Sequence, residues 1–269
     1  MGNSDKSVVR MRPVHYRAIF ISDVHLGFSG CSANFLLDFL RSATCDTLYL
    51  VGDIIDIWSM KKKPYWPQSH TDVIRTILGK AKHGTQVIYV PGNHDEKLRD
   101  FDTLQFGNLQ INNDRIIHTT RTGKRLLVIH GDQFDSVVRC SRMLAIIGSR
   151  LYDMLLKSNI LLNFLRRKLG FPYWSLASML KKRVKKAVNY ISNFEAALAY
   201  AADKYEVDGV VSGHIHHAEI TVKDSLIYCN CGDWVESCTA LVETNDGSLE
   251  LIHWTEQQQS LKTLDLAAA

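Results

Sequence analysis

The sequence predicts an α/β fold, and two observations lead to this prediction. In the first half of the chain, short apolar runs rich in β-branched and aromatic residues alternate with stretches of helical periodicity. Such alternation is typical of a β-sheet covered by helices. Hydrophobic residues make up 46% of the 269 positions, which is enough for a sizeable core in one large domain.

The buried strands of the first half are short apolar runs that end at Gly or Pro. We predict them at residues 18–21, 47–51, 86–90 and 126–129. Amphipathic helices are predicted between them, at residues 32–42 and 71–82. In the first of these helices, Phe35, Leu36, Phe39 and Leu40 form one apolar stripe.

The second half changes character twice. From residue 135 to residue 205 the periodicity is helical, with a break at Gly170-Phe171-Pro172. Strands return after Val207, and we predict them at residues 209–212, 219–222, 226–229, 240–243 and 250–253. We therefore expect a single domain over residues 14–256, with a helical insertion at 135–205 and flexible tails at 1–13 and 257–269.

The composition of the chain indicates the cellular compartment. The first twelve residues are polar and lack the apolar stretch of a signal peptide, and no apolar run is long enough to span a membrane. The six cysteines are irregularly spaced, which favours reduced thiols over a disulfide framework. We expect a cytoplasmic protein.

Five polar motifs follow predicted strands directly. They are Asp23-Val24-His25, Gly52-Asp53-Ile54-Ile55-Asp56, Gly92-Asn93-His94-Asp95, His130-Gly131-Asp132 and Gly213-His214-Ile215-His216. Each has an ordinary explanation by itself, as a turn, a helix cap or an exposed histidine pair. Ligands of open α/β sheets bind beyond the carboxyl ends of the strands, so the five together predict a metal site. Mixed oxygen and nitrogen ligands suit Mn²⁺, Fe²⁺ or Zn²⁺, and we favour manganese.

In this order, the five motifs resemble the calcineurin-like metallophosphoesterase superfamily. The resemblance runs from Asp23 to His216 and implies a fold of two packed mixed β-sheets flanked by helices. It also implies two divalent metal ions bridged by Asp53, and hydrolysis of a phosphoester by metal-bound hydroxide. One ion would also be held by Asp23, His25 and His216, and the other by Asn93, His130 and His214.

Four residues beside these ligands receive separate predictions. His94 is expected to be catalytic: it would face the phosphate, stabilise charge in the transition state and protonate the leaving oxygen. The alternative is that His94 caps the next helix. We expect Asp95 to orient His94 and Asp132 to support a ligand, whereas Asp56 fits a supporting role and a plain turn equally well.

The superfamily includes several kinds of phosphoesterase, so further sequence features are needed to predict the substrate. The segment from Gly52 to Trp58, the helical insertion and the modest length resemble the branch containing UDP-2,3-diacylglucosamine diphosphatase, an enzyme of lipid A biosynthesis. His94 departs from that branch, whose best-known members have arginine at this position. The expected reaction is hydrolysis of this pyrophosphate or a related phosphodiester. The alternatives are a phosphodiesterase or nuclease acting on a soluble nucleotide or nucleic acid, and a non-catalytic binding scaffold.

The predicted insertion is strongly basic. Residues 139–186 carry a net charge of +11, although the whole chain carries only +4. Cationic amphipathic helices with aromatic residues are suited to an anionic membrane, so we expect peripheral contact with the inner face of the cell membrane or with a lipid-linked substrate. Packing on the catalytic core, a dimer interface and nucleic-acid binding are the alternatives.

Overall fold

Two mixed β-sheets form the framework of the protein in the computed structural model, which describes residues 13–113, 116–135 and 194–257. The larger sheet has seven strands in the order β12-β11-β1-β2-β3-β5-β4. Their bounds are β1 Val14–Ile21, β2 Ala43–Val51, β3 Gln86–Val90, β4 Gln105–Phe106, β5 Leu109–Ile111, β11 Thr239–Glu243 and β12 Leu249–His253. Strands β1, β2, β3 and β5 are parallel to one another, and the remaining pairings are antiparallel.

The smaller sheet has five strands in the order β6-β7-β8-β10-β9. Their bounds are β6 Ile116–Thr119, β7 Arg125–Val128, β8 Gly209–Ser212, β9 Glu219–Lys223 and β10 Leu226–Asn230. Strands β7, β8 and β10 are parallel, whereas the two outer pairings are antiparallel. The prediction of two packed mixed sheets with flanking helices is confirmed.

The described chain contains helices α1 (Ala33–Ser42), α2 (Ile57–Lys62) and α3 (Gln68–Lys82) and 3₁₀ helices at Glu96–Phe101 and Asp132–Phe134, and residues 194–204 and 254–257 are also helical. Predictions for α1 and α3 agree with the structure within three residues. The sequence analysis missed α2, a short helix none of whose residues is buried. Its start is nevertheless encoded, because the side chain of Asp56 accepts a hydrogen bond from the backbone N–H of Ser59.

The central strands of the large sheet contribute to two cores because successive side chains point to opposite faces. In β1, Ile19 and Ile21 belong to the core shared with helices α1 and α3. Ala18 and Phe20 belong to the core between the two sheets, where Phe20 stacks on Tyr49 at a centroid distance of 4.6 Å. This double burial explains why these strands appear in the sequence as continuous apolar runs.

Contacts between residues divide the chain into two compact units, Met1–Asp132 with Tyr205–Ala269 and Gln133–Lys204. Both sheets belong to the first unit. In the second, residues 194–204 are helical. The rest of the predicted helical insertion, the break at Gly170-Phe171-Pro172, the basic segment 139–186 and most of both predicted tails lie outside the described residues.

A buried hydrogen-bonded group connects the two sheets; burial lowers the pKa of its imidazole, His118, and so favours the neutral ring. His118 Nε2 of β6 lies 2.7 Å from Glu243 Oε2 of β11, and the Glu243 side chain is fully buried. Arg17 donates its Nε–H to the same carboxylate, and Tyr49 Oη lies 3.1 Å from His118 Nδ1. Removing one member of such a group leaves the others buried without a partner.

We expect Glu243→Ala to lower the free energy of unfolding by about 3 kcal/mol, because His118 and Arg17 would lose their buried anion. Urea denaturation followed by circular dichroism measures this change. The matched control is Glu250→Ala on the exposed side of β12, with an expected effect within about 0.5 kcal/mol. Equal effects of the two substitutions would mean that the buried contacts of Glu243 do not contribute to the free energy of unfolding.

Candidate metal centre

The predicted ligands lie on loops that leave the carboxyl ends of parallel strands in both sheets. The loop after β1 is joined to the loop after β2 by backbone hydrogen bonds, since Asp23 N–H donates to Gly52 O and His25 N–H donates to Asp53 O. Asp23 also accepts a hydrogen bond from the backbone N–H of His214, which follows β8. Loops of the two sheets therefore meet around buried carboxylates.

The backbone at these positions is in an unusual conformation. Five of the seven predicted ligands have a positive φ angle: Asp23 (51°), His25 (55°), Asp53 (54°), His214 (70°) and His216 (54°). Residues other than glycine rarely adopt this left-handed conformation, which costs of the order of 1–3 kcal/mol each and persists only where the surroundings enforce it. Such strain is concentrated at functional sites.

Two glycines allow the loops to approach one another this closely. A Cβ atom at Gly92 would lie 2.3 Å from Asp53 Oδ1, and one at Gly213 would lie 2.5 Å from Asp23 Oδ2. Neither position can hold a side chain unless the neighbouring carboxylate moves. The glycines of the Gly-Asn-His-Asp and Gly-His-x-His motifs are thus part of the geometry of the site.

Among the residues that the structure describes, three groups of side chains could each hold a metal ion, with candidate ligand atoms within 4.8 Å of one another. They are Asp23 with His25 and His216, Asp23 with Asp53 and His130, and His25 with Asp53 and His94. The structure therefore brings together five of the predicted ligands. His94, predicted to be catalytic, lies in the same cluster.

The two remaining predicted ligands are adjacent to this cluster. The His214 ring lies 5.1 Å from the His130 ring, measured between centroids. Asn93 has both side-chain polar atoms buried without a hydrogen-bond partner. A buried amide with no partner is costly, and its oxygen is a good ligand for a divalent cation.

Other buried atoms around the cluster also lack hydrogen bonds: Asp23 Oδ1, His25 Nε2 and His130 Nε2. Asp23 Oδ1 lies 3.1 Å from His216 Nε2 but without hydrogen-bond geometry. In both His25 and His130 the opposite ring nitrogen is held by the protein. His130 Nδ1 donates to Val51 O at 2.9 Å, and His25 Nδ1 lies 3.2 Å from Asp56 Oδ2.

That pattern fits a metal centre. Metal-binding histidines usually give one ring nitrogen to the ion and use the other to hold the ring in place. Because a carbonyl oxygen can only accept a hydrogen bond, Val51 fixes the Nδ1–H tautomer of His130 and leaves its Nε2 lone pair available. The donor set of carboxylate, amide and imidazole groups suits a divalent transition metal.

The buried charges act strongly on one another. Burial favours the neutral imidazole of His130, but the carboxylates of Asp53 and Asp23 outweigh it and raise the pKa of His130 to about 10. Burial likewise opposes ionisation of Asp53, yet His130 and His94 lower the pKa of this carboxyl group below its ordinary value. The site therefore favours positive charge close to its carboxylates.

Asp56 holds two histidines at once. Its Oδ2 faces His25 Nδ1, and its Oδ1 lies 2.9 Å from His94 Nδ1. These contacts and those with Ser59 overcome burial and lower the pKa of Asp56. The other nitrogen of His94 lies 3.9 Å from Asp53 Oδ2, and the Trp58 ring covers His94 at a centroid distance of 4.5 Å. Asp56 thus supports the site, one of the two roles that the sequence left open.

The prediction that Asp95 orients His94 is wrong. The carboxylate of Asp95 is buried and accepts hydrogen bonds from the backbone N–H groups of Ile54, Ile55 and Gly92, and from the hydroxyl of Tyr89. Burial raises the pKa of Asp95. Asp95 therefore ties the loop after β3 to the loop after β2.

The carboxylate of Asp132 is engaged by Arg99, whose Nη2 donates to both of its oxygens at 2.8 and 2.9 Å. The support of a ligand expected from Asp132 is therefore limited to its charge, which contributes to the raised pKa of His130. The sequence analysis assigned no role to Asp233. Its Oδ2 lies 3.9 Å from His216 Nδ1, and its position just after β10 matches that of the other site residues.

Five cysteines of the described chain are free: Cys31, Cys45, Cys229, Cys231 and Cys238. This agrees with the prediction of reduced thiols. Burial raises the pKa of Cys45 and of Cys229 to about 12, so neither thiol is poised to ionise as a reactive group. Cys140 lies outside the described residues.

Comparison with known proteins identifies relatives. The UDP-2,3-diacylglucosamine hydrolase of Pectobacterium carotovorum subsp. carotovorum is 22% identical over 206 residues, covering 75% of this chain and 82% of the relative. The protein of the same name from Tolumonas auensis is 29% identical over 120 residues. That match spans about half of each protein, 43% of this chain and 46% of the relative.

Solved structures also resemble this chain. Yfce, a phosphoesterase from E. coli, has 15% sequence identity and a TM-score of 0.43, over 88% of this chain and 98% of its own. Vps29 of Entamoeba histolytica complexed with Zn²⁺ has 14% identity and a TM-score of 0.40, over 87% of this chain and 96% of its own.

The family of the chain follows from a match to a family model. The family model for calcineurin-like phosphoesterase matches residues 16–218, which is most of the chain and includes all seven predicted ligands. Because the match extends over more than half of the sequence, the chain belongs to the calcineurin-like phosphoesterase family.

Proposed function

We propose that the protein is a dinuclear metal-dependent phosphoesterase. Its expected substrate is the pyrophosphate of UDP-2,3-diacylglucosamine or a related phosphodiester. The observation that carries this proposal is the set of buried, unbonded ligand atoms on Asp23, His25, Asn93 and His130 at the meeting point of the loops. Such atoms destabilise the fold unless a cation satisfies them, so they favour a metal-loaded site over a scaffold that has lost its metal ions.

We assign the ligands as the family resemblance implies, and the clusters of the described residues support that assignment in part. Asp53 is the candidate bridge, as the family resemblance implies, and like Asp23 and His25 it belongs to two of the three clusters. Asp23, His25 and His216 would hold one ion, and Asn93, His130 and His214 the other. Two such ions, when bound, would offset the charge of a phosphoryl group and lower the pKa of a coordinated water. The protein contributes the fixed spacing of the loops and the tautomers of His25 and His130.

His94 would act on the phosphate instead of binding an ion. Its Nδ1 lies 2.9 Å from Asp56 Oδ1 but without hydrogen-bond geometry, and its Nε2 lies 3.9 Å from Asp53 Oδ2 in the carboxylate cluster. A proton on Nε2 could stabilise negative charge on the phosphoryl oxygens or pass to the leaving oxygen. Trp58 covers one side of the ring and limits its rotation.

The substrate proposal has a different basis. Relatives named UDP-2,3-diacylglucosamine hydrolase favour a lipid-linked pyrophosphate, although at 22% to 29% identity. The experiment that tests it is product identification by mass spectrometry after incubation with UDP-diacylglucosamine and with a panel of nucleotides. Release of UMP and a lipid monophosphate is the expected result. Cleavage of the nucleotides alone would indicate a soluble phosphodiesterase.

We expect Asp53→Asn to bind fewer than two metal ions per chain and to lose activity by at least roughly 10²-fold, because the bridging charge is removed. Asparagine tolerates the left-handed backbone of this position, so the loop should be retained. Metal analysis by mass spectrometry and Mn²⁺-dependent hydrolysis of a chromogenic phosphodiester measure the two effects. Asp46→Asn, at an exposed position, is the control. A fully active enzyme holding one ion would contradict the dinuclear proposal.

His94→Ala should retain both metal ions while kcat falls by roughly 10²- to 10⁴-fold, as expected when a general acid or a charge stabiliser is removed. The measurements are metal content and steady-state kinetics on the same chromogenic phosphodiester. His217→Ala, which removes an exposed histidine beside the Gly-His-x-His motif, serves as the control and should behave like the unmodified protein. Loss of metal from the His94 variant would make His94 a ligand and overturn the assignment.

The basic segment 139–186 is proposed, from its sequence, to contact an anionic membrane. Replacing Lys181, Lys182, Arg183, Lys185 and Lys186 by Gln should weaken binding to anionic vesicles and slow turnover of an acylated substrate. Hydrolysis of a small phosphodiester should be unchanged, since none of the proposed ligands lies in this segment. Co-sedimentation and parallel assays on the two substrates measure this. Equal loss on both substrates would indicate that the segment supports the fold.

A further inference from the structure

An exposed surface rich in aromatic and basic residues lies on α2 and the loop that follows it. We call it the α2 surface, and its members are Trp58, Lys61, Lys62, Lys63, Tyr65 and Trp66. All six consecutive residues 61–66 are exposed. The three aromatic side chains, Trp58, Tyr65 and Trp66, are 38%, 40% and 43% exposed.

The composition of this surface is unusual for ordinary solvent exposure. Single exposed apolar side chains are common and need no explanation, but three large aromatic residues within nine positions form a patch. Positive charge accompanies them: residues 57–71 contain three lysines and no acidic residue. Because no buried residue of α2 anchors this helix in the core, the surface contributes little to the fold.

The α2 surface is continuous with the rim of the candidate metal centre. At one end the Trp58 ring stacks on His94. In the middle, the side chain of Met60 packs so closely over Gly27 that an added Cβ there would lie 2.6 Å from Met60 Cγ. Gly27 directly follows the Asp23-Val24-His25-Leu26 segment, so the helix and the metal loop share one edge.

The far end of the surface is tied to the same loop through His70. This buried imidazole accepts the backbone N–H of Gly27 at its Nδ1, at 3.0 Å. The rings of Tyr65 and Trp66 both lie edge-on to His70, at centroid distances of 5.7 and 5.4 Å. Whatever binds the α2 surface is therefore held against the mouth of the metal centre.

We propose that the α2 surface binds an anionic lipid bilayer and holds the mouth of the metal centre at the membrane. Tryptophan and tyrosine favour the boundary between headgroups and acyl chains because each combines an apolar ring with a polar atom. Adjacent lysines attract anionic headgroups. Phe28, next to Gly27, is also exposed and adds a purely apolar ring to the same edge, which favours acyl chains over a nucleic acid.

This inference deepens the proposed function and rests on it in one respect. If the substrate is a lipid-linked pyrophosphate, its ester lies at the membrane surface, and an anchor at the rim would place the metal centre at that depth. The anchor is distinct from the basic segment 139–186. None of the helices in the described part of the chain is long and apolar enough to cross a bilayer.

The test uses the full chain loaded with Mn²⁺ and vesicles of phosphatidylglycerol and phosphatidylcholine. Replacing Lys61, Lys62 and Lys63 together by Gln should lower the partition coefficient roughly 100-fold at low salt, because each lysine near an anionic surface contributes about fivefold. The three side chains are exposed and hold no other element in place, so folding should be unaffected. High salt should release the unmodified protein.

The matched control replaces three other exposed lysines, Lys82, Lys124 and Lys223, by Gln and changes the net charge by the same amount. This control should bind vesicles nearly as well as the unmodified protein. An equal loss in both triple variants would mean that only net charge matters and would overturn the proposal. Unchanged binding by the Lys61, Lys62 and Lys63 variant would also overturn it and leave the basic segment as the membrane contact.

A second variant tests the aromatic part. Tyr65→Ser with Trp66→Ser should weaken vesicle binding at low salt although it changes no charge, whereas Phe106→Ser on the edge strand β4 should not. Hydrolysis of a soluble chromogenic phosphodiester by every variant is measured in parallel. If all variants hydrolyse it but vesicle binding is unaffected, the anchor is wrong and the proposed function stands. If the unmodified protein prefers single-stranded oligonucleotides to vesicles, the bilayer proposal fails.

Discussion

Two buried carboxylates, Asp23 and Asp53, impose the constraint on which the rest of the site depends. An ionised carboxylate removed from water is strongly destabilised unless positive charge or several hydrogen-bond donors lie close to it. Here the donors are backbone N–H groups of His214 and His94 together with surrounding imidazoles. The raised pKa of His130 records the same electrostatic field, in which the site takes up a proton or another cation.

The two packed sheets bring the loops that carry these carboxylates together. Parallel strands of both sheets end at a common edge, and their loops are linked there by backbone hydrogen bonds such as His25 N–H to Asp53 O and Leu26 N–H to Ile54 O. Asp95 adds three bonds to backbone N–H groups of two loops. These bonds offset the cost of the left-handed residues and hold the ligand-bearing loops together.

Most of the architecture could be predicted because its strands are buried on both faces and therefore form apolar runs of distinctive length. β8, at Gly209–Ser212, agrees with its predicted bounds at both ends. The elements that were missed have no such run: α2 contains no buried residue, both residues of β4 are exposed, β5 buries only its last residue, and β6 alternates buried with exposed residues. Motif spacing predicted which loops converge. Motif spacing does not show which groups a carboxylate contacts in the folded chain. Asp95 was therefore predicted to contact its sequence neighbour His94, whereas it accepts hydrogen bonds from the loop after β2.

Asp56 shows how closely metal binding and catalysis are coupled in this arrangement. One of its oxygens faces His25, a proposed ligand, and the other faces His94, the proposed acid. The same carboxylate caps helix α2 by accepting a hydrogen bond from the backbone N–H of Ser59. This helix carries Trp58, whose ring lies against His94. A substitution at Asp56 would act on ligand orientation, on the protonation of His94 and on the α2 surface together. A substitution at His94, whose side chain has no proposed ligand role, would instead separate the chemical step from assembly of the centre.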